Sequence, residues 1–247
     1  MLTAILTDLH ANRQAVEACL AHAEQHGAQR YAFLGDFVGY GGDPGWVVDK
    51  VAHYVERGAF AVMGNHDYSA ALEVRKQMHS EAREAIEWTR SQLNSSQLDF
   101  LRKLPYSLTQ DQVLYVHASA HDPANWEYVT SLQEAVRCLD ATDCRLVFCG
   151  HVHMPALYRI AQDGKQGGHT PEAGSSHPIR QQHRYLAIPG SCGQPRDGNT
   201  SACYAMHDDS AHVLQFFRVP YDINGAARRV IEVGLPLVFA MRLIEGL

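Results

Sequence analysis

Short apolar runs alternate with stretches of helical periodicity through the first half of the chain. LTAILT (Leu2 to Thr7), RYAFLG (Arg30 to Gly35) and FAVM (Phe60 to Met63) are too short for helices and read as strands. Between them lie two helical patterns. Asn12 to His26 puts Ala15, Val16, Cys19, Leu20 and Ala23 on one face. Pro44 to Glu56 opens with a proline, which the first turn tolerates because its missing N–H would find no partner there anyway. From Ser69 to Leu104 the pattern stays helical and becomes charged; HSEAREAIEWTRSQL is its clearest piece, and Ser95 or Ser96 is expected to cap a short helix ahead of Pro105. The second half returns to strands: SLTQ, VLYVH, RLVFCG, ALYRIA, RYLAIPG, ACYAMHDD and AHVLQFFRV, with one helix, Ser131 to Leu139, among them. Gln162 to Arg184, rich in Gly, Ser, Pro and Gln, reads as a mobile surface loop, and its His169, His177 and His183 as solvated side chains. Helices from Ile223 to Val233 and from Pro236 to Glu245 close the chain.

Strand-helix units followed by a strand-rich half predict two packed sheets with helices on their outer faces. With 247 residues, 46% of them hydrophobic, the chain can bury one sizeable core. A single domain over 1–247 is therefore expected, with a helical insertion at about 69–104 and a helical tail at about 221–247. The formal charge of −6 disfavours long nucleic acid and anionic membranes as partners, so an anionic substrate must be attracted locally. Met1 leads into LTAILTD without a basic, apolar leader, and no apolar run reaches the length of a bilayer span; a cytoplasmic protein is expected. Six scattered cysteines without CxxC spacing read as reduced, buried thiols.

Polar residues collect where the apolar runs stop. Asp8 and His10 follow the first strand, Asp36 the second, Asn65 and His66 the third; His117 ends VLYVH, and His151 and His153 follow RLVFCG. Singly, each has an ordinary reading: an Asp as a turn or helix cap, an H-x-H pair as a turn, His117 as a satisfied core histidine. Their joint occurrence at strand ends, which cluster in one crevice in such sheets, is not explained by capping. Carboxylate, imidazole and amide oxygen without thiolate suit Mn, Fe, Zn or Co, and predict a metal centre.

TDLHAN, GDFVGYG, GNHD, VHAS and GHVH, in this order, resemble the five blocks of the calcineurin-like metallophosphoesterases, and IPGSCGQPRDGN and VPYDINGAARRVIEVGLP are similar to later blocks of a bacterial and archaeal branch of that superfamily. The resemblance implies a four-layer αββα sandwich of two mixed β-sheets flanked by helices. It also implies two transition-metal ions per chain, Mn or Fe, with Zn, Co or Ni as substitutes. Asp8, His10, Asp36 and His153 would hold the first and Asp36, Asn65, His117 and His151 the second, with Asp36 bridging. A water activated by both ions would attack phosphorus. His66 would stand over the site as general acid, with Asp67 either orienting it or capping a helix.

Arg196, Asn12 and His121 are the candidates for substrate contact. Arg196 has the alternative of a surface ion pair with Asp197, and Ala118 and His121 stand where relatives of the branch show glycine and a basic residue. Tyr40, Trp126 and Tyr128 would line a base- or aryl-binding wall or else pack in the core. The implied activity is hydrolysis of a small phosphorylated substrate, a phosphodiester or dinucleoside polyphosphate. A phosphoprotein phosphatase, a nuclease and a non-catalytic scaffold of the same fold are the alternatives; the last would lack a histidine at position 66.

Overall fold

The computed structural model describes residues 1–74 and 78–247. Its first half runs β1 (Leu2–Leu6), α1 (Arg13–Gln25), β2 (Arg30–Phe33), α2 (Pro44–Glu56), β3 (Phe60–Ala61), α3 (Asn65–Ala71), α4 (Ser80–Gln92) and α5 (Ser95–Arg102). There follow β4 (Ser107–Gln110), β5 (Val113–Val116), α6 (Leu132–Asp140), β6 (Leu146–Phe148), β7 (Ala156–Ile160), β8 (Gln166–His169), β9 (Ser176–Pro178), β10 (Arg184–Ile188), β11 (Ala202–Asp208) and β12 (Val213–Val219). The chain closes with α7 (Ile223–Glu232) and α8 (Leu237–Glu245).

The strands form two six-stranded mixed sheets, ordered β3-β2-β1-β11-β12-β9 and β4-β5-β6-β10-β7-β8. In the first, β1, β2 and β3 are parallel neighbours; in the second, β5, β6 and β10 are, and the remaining pairs are antiparallel. Both sheets are covered on both faces, which is why their strands read as continuous apolar runs rather than alternating ones. Ile5, Leu34, Leu146 and Phe148 point into the layer between the sheets. Their neighbours Leu6 and Phe33 face the helices, packing with Val16 of α1, Val48 of α2 and Leu101 of α5. Val147 instead packs with Ala135 and Leu139 of α6. The period-two alternation of strand side chains thus feeds separate layers from one run, and each fully buried Leu or Phe contributes about 1.5–3 kcal/mol.

Several boundaries differ from the sequence reading. FAVM contributes only Phe60–Ala61 as strand, because the Met63 N–H leaves the ladder and donates to Pro105 O at 2.8 Å. The cap of α5 is Asn94, not Ser95 or Ser96: Asn94 Oδ1 accepts from Gln97 N at 2.9 Å, and Gln97 Oε1 accepts from Asn94 N at 3.0 Å. The stretch at 69–104 contains α4 and α5 and the end of α3, which starts earlier, at Asn65; its part at 75–77 lies outside the described residues. Gln162 to Arg184 is not all loop, since β8 extends one sheet beside β7 and β9 extends the other beside β12. All six cysteines are buried and free. Among the described residues no helix is long and apolar enough to cross a membrane.

Candidate metal centre

Strands β1, β2, β5 and β6 stop on the same side of the sandwich, and the loops beyond them converge. The backbone there is strained. Asp8 (φ 53), His10 (φ 47), Asp36 (φ 50), His151 (φ 68) and His153 (φ 63) all sit in the left-handed region, at about 1–2 kcal/mol each. Such conformations persist where surrounding contacts over-determine them, and they gather at functional sites. Gly64, where the third run ends, has an ordinary extended conformation (φ −97, ψ 170). What requires glycine is proximity: a Cβ there would lie 2.2 Å from both Asp36 N and Asp36 Oδ1.

Two groups of ligand atoms result. In the first, His153 Nε2 is 3.3 Å from Asp8 Oδ1, and His10 Nε2 is 3.1 Å from His153 Nε2 and 3.9 Å from Asp8 Oδ1. In the second, His117 Nε2 is 3.3 Å from Asp36 Oδ2, 3.1 Å from Asn65 Oδ1 and 3.2 Å from His151 Nδ1. Asp36 Oδ2 also comes within 3.8 Å of His10 Nε2, so one carboxylate oxygen faces both groups. The other oxygens are held by the backbone and a neighbour: Asp36 Oδ1 accepts from His66 N at 2.8 Å, and Asp8 Oδ2 accepts from Thr7 Oγ1 at 2.8 Å and His151 N at 3.0 Å.

The donor chemistry of these contacts fits cations. His10 Nδ1 donates to Val38 O at 3.1 Å and His153 Nδ1 to Gln194 O at 2.6 Å, so both Nε2 atoms present lone pairs, yet they face each other at 3.1 Å. His117 is turned the same way, its Nδ1 donating to Leu34 O at 2.7 Å while Nε2 faces the oxygens of Asp36 and Asn65. Acceptors aimed at acceptors are stable only around positive charge, and imidazoles fixed through the far nitrogen are the usual outer support of a metal ligand. Titration shows the same pull of the buried carboxylates on positive charge, here a proton. Burial, reinforced by the charge of His117, holds His151 down at about 3. Burial opposes charging His117 as well, but the Asp36 carboxylate outweighs it and lifts the imidazole to about 9. Burial works against ionised Asp8 and Asp36, yet the facing histidines hold both well below the carboxylate range. Asp8, His10 and His153 form one group fit for a metal ion, and Asp36, His117 and His151 another.

His66 stands beside them at the start of α3. Its ring meets His10 edge-on at 5.0 Å and Tyr40 at 4.5 Å, and its Nδ1 is buried without a hydrogen-bond partner. It also comes near enough to His10 and Asp36 to form a third potential ligand group. Burial pushes its pKa down to about 4, Asp36 pulling the other way, so the imidazole is neutral at neutral pH. Of the two roles open to Asp67, its carboxylate takes the capping one. It accepts from Phe37 N at 2.8 Å, Val38 N at 3.3 Å and Gly64 N at 3.0 Å, and so ties the loop after β2 to the start of α3 instead of orienting His66.

The site opens into a cavity of about 420 Å³ whose lining includes His66, Trp126, Tyr128, His151 and Arg196. Tyr128 lies flat on the His151 ring at 4.2 Å and is 53% exposed, whereas Trp126 is 5% exposed. Arg196 lines the cavity, its Nη2 donating to Gln194 Oε1 at 3.0 Å, and Asp197, its alternative partner, pairs with Arg218 instead. Two further candidates are placed elsewhere. Asn12 is spent on structure: its Oδ1 caps α1 through Ala15 N at 3.1 Å, and its Nδ2 donates to Gly193 O at 2.8 Å. His121 is exposed and outside the cavity lining, because the turn closed by Asn125 N to Asp122 O presents Asn125, Trp126 and Tyr128 instead. Met78 and His79 also line the cavity, from a stretch without a motif to announce them.

The family model of the calcineurin-like phosphoesterase superfamily domain matches residues 1–211. An uncharacterised protein of Methanocaldococcus jannaschii is 29% identical over 252 aligned residues, covering 99% of this chain and 98% of its own. Among solved structures, a metallophosphoesterase from Sphaerobacter thermophilus is 33% identical and superposes with a TM-score of 0.89, over 100% of this chain and 99% of its own. A hypothetical protein from Pyrococcus horikoshii shares the fold at 17% identity, with a TM-score of 0.77 over 99% and 98% of the two chains.

Proposed function

The chain belongs to the calcineurin-like phosphoesterase superfamily, and from that premise we propose that it hydrolyses a small phosphodiester or dinucleoside polyphosphate at a dinuclear metal centre. The observation that carries this reading is the pair of ligand clusters joined by Asp36 Oδ2 at the floor of a cavity with Arg196 in its wall. Asp8, His10, Asp36 and His153 would hold one ion, and Asp36, Asn65, His117 and His151 the other, with Mn or Fe as the expected occupants. Two such ions supply Lewis acidity toward phosphoryl oxygens and acidify a water.

The chain's own residues supply the rest. The guanidinium of Arg196 matches a pair of non-bridging phosphate oxygens, as its planar fork of donors allows. His66 is neutral in the free site, and an anionic ester beside it favours the charged form, from which it can pass a proton to the leaving oxygen. The cavity volume falls within the range of small-molecule sites, about 300–1,000 Å³, and exceeds what one phosphate needs. The outer face of Tyr128 offers a planar organic group a place to stack. Both features favour an ester of a nucleoside or aryl group over a folded phosphoprotein.

A metal-reconstituted activity panel tests the reading. Phosphomonoesters, phosphodiesters, dinucleoside polyphosphates and a phosphopeptide are compared on one preparation. Turnover highest on the diesters or dinucleoside polyphosphates is expected; a marked preference for the phosphopeptide refutes it.

A further inference from the structure

The α7–α8 hairpin lies beyond the part of the chain that the family model matches, yet it grips the rim of the site at several points. On α7, Arg229 Nε meets Asp43 Oδ1 at 3.0 Å. On α8, Phe239 is 1% exposed and its ring lies 4.9 Å from that of Tyr40. Just past α8, Gly246 O accepts from Gly198 N at 3.0 Å, in the loop that carries Arg196. Tyr40 is the point where these contacts reach the chemistry. Its ring is 4.5 Å from His66 and 4.5 Å from His10, and the Arg196 guanidinium carbon lies 5.7 Å from its centroid. Its backbone is left-handed, φ 65, a costly conformation for a bulky residue.

We infer that the hairpin is a working part of the site: Phe239 holds Tyr40 in its strained conformation, and Tyr40 is the positioning residue that sets the orientation of His66 and Arg196 toward the phosphoryl group. The loop after β2 is divided between two supports. Phe37 and Val38 are clasped by Asp67, and Val38 O fixes the ligand His10. Tyr40 and Asp43 meet the hairpin through their side chains, while the backbone around them bonds the loop after β1, Gly41 N to His10 O at 3.0 Å and Asp43 N to Ala11 O at 3.0 Å. His10 keeps its bonds to Val38 O and from Gly41 N when the Tyr40 ring moves, so metal holding and substrate grip should separate, with the hairpin governing the second. Without Phe239 the Tyr40 ring can drop into the space left behind, and an ångström of misplacement in a positioned group is enough to lower turnover by as much as about 100-fold.

The identity of the bound anion rests on the proposed phosphoesterase site, so the test has two readouts. Metal content, the Kd for inorganic phosphate and the kinetics on a phosphodiester are measured for wild type, Phe239→Ala, Phe239→Leu and Arg229→Ala, well below each protein's unfolding temperature. Phe239→Ala should keep the wild-type metal content, bind phosphate about 10-fold more weakly and lose about 10- to 100-fold in kcat/KM. Phe239→Leu should recover most of the loss by refilling the space, and Arg229→Ala should lose less, in the same direction. A merely structural role would lower the unfolding temperature and leave phosphate Kd and kcat/KM within about twofold, which overturns the inference; so does loss of metal in step with phosphate binding. Should Phe239→Ala fail to fold, Arg229→Ala decides by the same criteria. Should the wild type bind phosphate without hydrolysing any ester, the proposed function fails while the phosphate affinities still judge the hairpin. If phosphate binds too weakly to measure, KM carries the comparison.

Discussion

Replacing Gly64 by alanine isolates the tightest contact behind the site. Alanine accepts the backbone conformation of Gly64 without cost, so the effect comes from one added methyl. That Cβ would sit 2.2 Å from Asp36 N and from Asp36 Oδ1, about 0.8 Å inside the closest approach real Cβ atoms show, 3.0 Å. Neither atom is free to yield. Asp36 is left-handed, and its Oδ1 is already held by His66 N at 2.8 Å. Overpacking of this kind costs about 1–3 kcal/mol, and weakening a hydrogen bond to a carboxylate adds about 1 kcal/mol or more. The expected total of about 2–4 kcal/mol corresponds to a fall in Tm of about 5–15 °C for a chain of this length. Displacing Asp36 also moves Oδ2, the oxygen shared by both ligand groups, so metal affinity should fall about 10- to 100-fold, as when outer support of a ligand is removed. Thermal unfolding followed by circular dichroism and metal titration of the same preparations measure both effects. Gly167→Ala serves as control: a Cβ there meets nothing within 4 Å, and the change should stay within about 0.5 kcal/mol. A Gly64→Ala protein with the Tm and metal affinity of the control refutes the account of Gly64 as a close-approach residue.

Asp36→Asn should lose more bound metal than His10→Ala, since one carboxylate oxygen faces both ligand groups while His10 belongs chiefly to one; elemental analysis showing both ions retained in Asp36→Asn removes the assigned bridge. His66→Ala should keep its metal and lose about 10²–10⁴-fold in turnover on esters with poor leaving groups, but much less on p-nitrophenyl esters, whose leaving group departs without a proton. An equal loss on both kinds of ester speaks for charge stabilisation instead of proton transfer, and loss of metal identifies His66 as a ligand. Chelation should lower the Tm and added Mn²⁺ should restore it in a dose-dependent way, by about 2.7 kcal/mol at a hundredfold excess over Kd. A Tm indifferent to chelator and metal contradicts the reading of the acceptor clusters.

The layered sheets were readable in the chain because they rest on local periodicity. Pro44–Glu56 and Ser107–Gln110 match the observed elements at both ends, and the buried face of α1 is the one its spacing indicates. The residues at the strand ends were readable because a polar side chain at the end of an apolar run needs no long-range information to stand out. Other features depend on contacts between distant parts of the chain, which no local pattern encodes. Strands β8 and β9 exist because β7 and β12 offer them free edges; their own composition favours a loop. Asn12, Asp67 and His121 carry the right chemistry for a site, but a side chain has only so many lone pairs and donors. Those of Asn12 and Asp67 are taken by Gly193 and by Phe37, Val38 and Gly64, while His121 is turned outward. Arg196 lines the cavity while Asp197, its neighbour in the loop, pairs with Arg218 of β12. Residue type and spacing thus set which groups could meet, and the packing of remote segments settled which of them had donors, acceptors and surface left for chemistry.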